Sequence, residues 1–101
     1  MYRLTPDAID DIDGIWTFIA RNNPDAADRV EQEILNSCER LTDFPFQGHV
    51  RQDLTSRPLR FWTVSAYPNY IIVYRPETKP LEIIRVLHGR RDLKRILGVP
   101  E

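Results

Sequence analysis

Two proline-led helix starts constrain the fold of this chain more than any other feature. Thr5–Ala8 reads Thr-Pro-Asp-Ala and Asn23–Ala26 reads Asn-Pro-Asp-Ala. Each places a capping side chain first, then a proline that suits the first helical turn, then an aspartate at the positive end of the helix dipole. Because the residue before a proline avoids helical angles, the first helix is predicted to stop near Arg21 or Asn22. The short link makes the two helices an antiparallel hairpin.

Apolar residues recur at helical spacing in both segments. In the first helix they are Ala8, Ile12, Ile15, Trp16 and Ile19. In the second they are Ala27, Val30, Ile34, Cys38 (or Ser37) and Leu41. We expect both stripes, including Trp16, to face a core. Gly14 costs about 1 kcal/mol relative to alanine in a helix, and we interpret it either as a point of close approach or as incidental.

From Leu59 onward the residues are typical of β-structure. Strands are predicted at Leu59–Ser65, Tyr70–Tyr74 and Leu81–Leu87, with turns at Pro68-Asn69 and at residues 76–80. Two short links in succession predict a three-stranded antiparallel meander, to which Tyr2–Leu4 could add a fourth strand at an edge.

These elements predict an α+β fold in the order β-α-α-β-β-β. The N-terminal helical hairpin packs on a small, mainly antiparallel sheet. The last two strands are apolar on both faces near their centres, so the second face should be partly covered. A short, basic helical turn is predicted after Gly89.

Length and composition indicate one domain, residues 1–101. A single cysteine excludes a disulfide and a cysteine-based metal site, and fits a reducing compartment. No apolar run approaches the roughly 20 residues that cross a bilayer. The N-terminus lacks the basic-then-apolar pattern of a signal peptide. We therefore expect a cytoplasmic protein that does not engage a membrane.

The net charge of −1 conceals an asymmetry between the two halves. Residues 1–48 hold four basic and ten acidic groups, a balance of −6, whereas residues 49–101 hold ten basic and five acidic groups, a balance of +5. Such segregation can steer an anionic partner toward one surface. The alternative is that the two halves neutralise each other across the fold, and both interpretations stay open.

The residues offer little for metal, cofactor or nucleophilic chemistry. His49 and His88 are the only histidines and have no ligand spacing around them. Cys38 lies on an apolar stripe, where a cysteine is usually a small core residue. The four glycines are scattered, so no phosphate-cradling loop is predicted. No metal and no cofactor are expected.

Arginine is the concentrated feature of the second half. The residues are Arg51, Arg57, Arg60, Arg75, Arg85, Arg90, Arg91 and Arg95. Guanidinium groups suit phosphates and carboxylates, so this surface could bind nucleic acid or an acidic protein segment. For Arg57, Arg60 and Arg95 we favour ordinary pairing with nearby acids. Arg75 and Arg85 end or interrupt hydrophobic strands, where a guanidinium needs a partner or a function.

An ordered set of segments over nearly the whole chain resembles the ParE/RelE toxins, and the ParE branch in particular. The segments are Asp11 or Asp13 with Ile15–Ala20, Asn23–Ala27 followed by Arg29, Leu41–Gly48, Tyr70–Arg75 and Ile84–Leu93. The last of these is the most specific. The resemblance implies a toxin neutralised by a cognate antitoxin. ParE-branch members inhibit DNA gyrase, and RelE-branch members cut messenger RNA on the ribosome.

RNA cleavage would need a base, an acid and cations on the phosphate. Arg75 and Arg85 could bind phosphate and His88 could act as the acid, with His49 or Asp53 as the base. The RNA-cleaving relatives that this chain resembles often place a base or basic cluster between the positions of Phe44 and Tyr70, and a tyrosine near the C-terminus. Here no glutamate or lysine lies between Phe44 and Tyr70, and no tyrosine follows Tyr74. We therefore favour a non-enzymatic gyrase inhibitor. The alternatives are a metal-independent, ribosome-dependent ribonuclease and a non-toxic binding module of the same fold.

For the antitoxin we predict contacts along the exposed flank of the hairpin and the arginine-bearing part of the sheet. The predicted partner-binding residues are Trp62, Tyr70, Arg85, Arg90 and Arg91, with Phe61 and Ile71 as further apolar candidates.

Overall fold

The computed structural model describes residues 1–89 and Asp92. Its elements are β1 (Tyr2–Leu4), α1 (Pro6–Ala20), α2 (Pro24–Asp43), β2 (Arg60–Thr63), β3 (Tyr70–Arg75) and β4 (Leu81–His88). This order and the α+β class confirm the prediction. The predicted C-terminal helical turn, with Arg90, Arg91 and Arg95, lies outside the described residues.

Both helices begin on the predicted caps. The Thr5 hydroxyl accepts the N–H of Ala8 at 3.1 Å, and the Asn23 amide oxygen accepts the N–H of Ala26 at 3.0 Å. Each cap satisfies one of the backbone donors that a helix start leaves without a partner. α1 ends at Ala20 and the chain reverses within three residues, so the helices pack as a hairpin.

The four strands form one sheet in the order β1-β4-β3-β2. β3 pairs antiparallel with both β2 and β4, and β1 joins the free edge of β4 in parallel. The possible fourth strand at Tyr2–Leu4 is therefore confirmed. β2 is shorter than predicted, because the Val64 N–H already bonds the Tyr70 carbonyl at 3.0 Å and begins the turn. Arg75 lies opposite Glu82 at one end of the sheet, and Tyr70 lies opposite His88 at the other.

Apolar side chains cover both faces of the sheet. On one face the stripes of α1 and α2 pack with Ile72, Tyr74 and Ile83. On the other face a smaller cluster joins Val73 and Leu87 to side chains from the segment between α2 and β2 and from β2 itself. This arrangement explains why the two inner strands are apolar on both faces.

The structure corrects the expectation for Trp16 and decides between the two interpretations of Gly14. Trp16 is only half-buried and lies outside the core, because its indole N–H donates to the Asp28 carboxylate at 2.9 Å between the two helices. Gly14 is exposed, and a Cβ there would meet no atom within 4 Å. It is therefore not a point of close approach.

A buried tyrosine fixes the loop that follows α2. The Tyr74 hydroxyl donates to the Pro45 carbonyl at 2.7 Å and accepts the Gly48 N–H at 2.9 Å. Burial raises the pKa of Tyr74, so the phenol keeps the proton that it donates. A Cβ on Gly48 would lie 2.5 Å from the Tyr74 oxygen and 3.1 Å from the Phe61 carbonyl. Only glycine fits there without displacing the loop or the tyrosine.

The two glycines make a matched pair for testing this contact. Gly48→Ala should lower the free energy of unfolding by about 1–3 kcal/mol through overpacking. Gly14→Ala should raise it by up to about 1 kcal/mol, since the helix gains an alanine at an open site. Urea denaturation followed by far-ultraviolet circular dichroism measures both changes. Equal effects of the two substitutions would contradict the role given to Tyr74.

Candidate partner-binding surface

An open groove runs between α1 and the end of the sheet where β4 finishes. Its volume is about 460 Å³. It is lined by Asp10, Asp11, Gly14, Ile15, Phe18, Tyr70, Val86, His88 and Asp92. Its walls are thus partly apolar, with three aspartates among the lining residues.

The apolar wall is unusually open to solvent at one aromatic ring. Phe18 is 68% exposed, and Ile15 lies one helical turn before it on the same flank of α1. On the opposite wall the rings of Tyr70 and His88 meet edge to face, with centroids 5.3 Å apart and planes at 76°. An exposed aromatic side chain in a groove with polar edges is typical of a site that another protein covers.

A charge pair holds α1 against β4 beside this groove. The Arg85 Nε and Nη2 donate to the Asp11 carboxylate at 2.7 and 2.8 Å, and the Val86 N–H donates to the same carboxylate at 2.9 Å. The hydrogen bonds that Arg85 donates to Asp11 raise the pKa of Arg85. Arg85, predicted to bind a partner or phosphate, is therefore already engaged within the chain, and it positions the helix wall of the groove.

Arg75 is engaged in a second charge network at the other end of the sheet. Its Nε lies 3.3 Å from the Glu82 carboxylate, which also forms an ion pair with Arg3. These three residues sit side by side on β3, β4 and β1. The guanidinium therefore has a partner, as its position at the end of an apolar strand requires.

The other predicted partner-binding residues separate into different environments. Tyr70 lines the groove. Trp62 is half-buried against the helix-side core, whereas Phe61 and Ile71 belong to the cluster on the opposite face. Arg90 and Arg91 lie outside the described residues.

The residues considered for RNA cleavage are spread over the fold. Arg75 lies opposite Glu82, six positions along β4 from His88, a separation of about 20 Å. His49 pairs with Phe61 at the outer side of β2, so roughly three strand spacings, about 14 Å, separate His49 from β4.

The other candidate base is Asp53. Asp53 is exposed and accepts hydrogen bonds from Arg51, which lowers the pKa of Asp53 and weakens it as a base. His88 does border the groove, but beside aspartates rather than with a basic cluster among the described residues.

The described part of the chain gives little support for a metal site, a membrane-spanning helix or a reactive thiol. No group of three or more potential ligands there could hold a metal ion. No described helix is long and apolar enough to span a membrane. Cys38 is fully buried, and burial raises the pKa of its thiol to about 12, so it remains protonated at neutral pH.

The fold and the groove define an α+β domain with an open surface suited to a protein partner, and comparison with known proteins gives its family. A family model described as "ParE toxin of type II toxin-antitoxin system, parDE" matches residues 2–93. The chain is 32% identical over 95 residues to "Putative toxin Y4kP" of Sinorhizobium fredii (strain NBRC 101917 / NGR234), with 94% of each protein covered. The chain belongs to the ParE toxin family of type II toxin–antitoxin systems.

A solved structure supports the fold independently. A chain of the "Chromosomal ParDE TA system from P. aeruginosa" superposes with a TM-score of 0.73 at 21% identity, covering 88% of this chain and 95% of that one. At this level of identity the likeness establishes the fold alone.

Sequence reasoning missed Ile15, Phe18 and Val86 as groove residues. Phe18 stands outside the apolar stripe of α1 and follows Ile15 by one turn, on the same flank as Asp11. A large aromatic residue displaced from the buried stripe was the available signal. Val86 gave none, because it lies within a continuous apolar strand.

The partly buried ion pair between Asp11 and Arg85 can be tested against an exposed pair. Asp11→Asn should lower the free energy of unfolding by about 1–3 kcal/mol, because it weakens two bonds from Arg85 and one from Val86. Asp53→Asn removes one charge of an exposed pair and should leave stability unchanged within error. Thermal and urea unfolding of both variants measure the difference. If the variants were equally stable, α1 would not depend on this carboxylate.

Proposed function

We propose that this ParE-type toxin acts in the cytoplasm by binding DNA gyrase, and that a cognate antitoxin neutralises it by occupying the groove beside α1. The observation that carries the non-catalytic mechanism is the composition of the groove. Three aspartates line it, and no lysine or arginine is among its described lining residues. A phosphate backbone would meet carboxylates and no cation among these residues, whereas a protein segment with apolar side chains would contact Ile15, Phe18 and Tyr70.

The dispersal of the candidate ribonuclease residues supports the same proposal. General acid–base catalysis requires groups within hydrogen-bonding reach of one substrate. Arg75 and Arg85 are each held by a carboxylate, and about 20 Å separates Arg75 from His88. Ribosome-dependent RNA cleavage remains the second candidate, because His88 is exposed at the rim of the groove.

The gyrase proposal makes a direct prediction for the purified protein. Toxin without antitoxin should inhibit DNA supercoiling by gyrase, and its expression should arrest growth with an SOS response. His88→Ala should retain both effects, because no proton transfer is involved. New 5′ ends in messenger RNA that appear on induction and vanish in His88→Ala would instead establish the ribonuclease. Absence of any growth effect would indicate a non-toxic binding module.

The antitoxin proposal predicts that the groove can be weakened by one substitution. Phe18→Ala should reduce affinity for the antitoxin at least tenfold, since truncation of a binding hot spot costs about 2 kcal/mol or more. Ile9→Ala is the matched control, because Ile9 is an exposed apolar residue of α1 that does not line the groove. Calorimetric titration with the antitoxin measures both affinities. Raised salt should weaken binding only modestly, and equal affinities of the two variants would place the antitoxin elsewhere.

A further inference from the structure

A pair of phenylalanines projects from the loop that follows α2. Phe44 is 67% exposed and Phe46 is 57% exposed, with Pro45 between them. Asp43, the two rings, Pro45 and Gln47 border a shallow and mainly apolar recess. Two large apolar side chains exposed side by side commonly mark a surface that another molecule covers.

Several hydrogen bonds fix the backbone of the loop that carries these rings. Arg60 donates to the carbonyls of Phe46 and Gly48 at 3.1 and 2.8 Å, and its guanidinium lies 5.1 Å from the centre of the Phe46 ring. Tyr74 bonds the loop on its buried side, as described above. The Gln47 N–H closes a turn onto the Phe44 carbonyl at 3.1 Å. A preorganised aromatic surface loses little conformational entropy when a partner binds it.

This aromatic loop, residues 44–48, lies at the opposite end of the molecule from the groove. Pro45 borders the turn at residues 76–80 and Leu81, where β4 begins, whereas the groove lies at His88, where β4 ends. Seven residue steps along β4 separate these ends by about 24 Å. One short segment of a partner therefore does not contact both surfaces at once.

The charges around the loop indicate the chemistry of its partner. Asp43 makes no ion pair within the described residues, and it is the one charged residue among the described residues that line the recess between the two rings. Lys79 borders only the recess on the other side of Pro45. The positive charge of Arg60 faces two carbonyls and an aromatic ring from within the loop. The surface that fits is an apolar recess with a basic side chain placed to meet Asp43.

We propose that this toxin binds its protein target through the aromatic loop. Phe44 and Phe46 insert into an apolar recess of the target, and a basic group of the target flanks that recess. The inference rests on the proposed function, in which that target is DNA gyrase. It assigns target binding and antitoxin binding to different ends of the fold.

The experiment compares gyrase inhibition and antitoxin affinity in the same set of variants. Phe44→Ala/Phe46→Ala should raise the toxin concentration that halves supercoiling at least tenfold and leave antitoxin affinity within twofold. Asp43→Lys should also weaken inhibition, through repulsion from the basic group, and it leaves both rings in place. Val50→Ala is the control, because Val50 is an exposed apolar residue outside the loop. Urea denaturation establishes that each variant is folded before it is compared.

The possible outcomes separate the inference about the aromatic loop from the proposed function as a gyrase inhibitor. If the wild-type toxin inhibits gyrase and both loop variants inhibit it equally well, this inference is overturned and the proposed function stands. A folded wild-type toxin that fails to inhibit gyrase overturns both. Loss of antitoxin binding along with inhibition overturns the separation of the two surfaces. A wild-type dimer that the double substitution converts to a monomer would assign the loop to self-association instead.

Discussion

The carboxylate of Asp11 is the contact on which the partner-binding surface depends. It receives three hydrogen bonds from β4, two from the Arg85 guanidinium and one from the Val86 backbone, and so fixes the rotation and position of α1 on the sheet. Hydrogen bonds to a charged acceptor are roughly twice as strong as neutral ones. Because Ile15 and Phe18 follow on the same flank of α1, the pair also sets the width of the groove.

Backbone-level features were predictable from local patterns. Proline-led caps predicted both helix starts, and apolar periodicity predicted the buried face of α2. Runs of aromatic and β-branched residues between turns predicted the strands and their order along the chain. Features that depend on tertiary geometry could not be predicted from local patterns. Trp16 has the spacing of a core residue, yet its indole N–H is satisfied by Asp28 between the helices. Arg60, expected to pair with an acid, instead supports backbone carbonyls of a distant loop. Nothing in the spacing of these residues encodes such partners.

The arginines illustrate why a cluster in sequence need not be a cluster in space. Arg75 and Arg85 both occupy the inner strands, but the antiparallel register places Arg75 beside Glu82 and Arg85 beside α1. Each meets a carboxylate that limits its use for a phosphate. The ion pair between Arg85 and Asp11 joins a cation of the basic half to an anion of the acidic half and so neutralises part of the charge asymmetry, whereas the pair between Arg3 and Glu82 uses the minority charge of each half and does not.

The burial of Cys38 bears on how such a protein can be controlled. A thiol enclosed by the helix-side core, with its pKa raised to about 12, contributes almost no thiolate at cellular pH, and thiolate is the form that peroxides and disulfides attack. While the toxin is folded, its one thiol should therefore resist oxidation. A thiol-based redox signal would have to reach this protein through its partners or through its abundance.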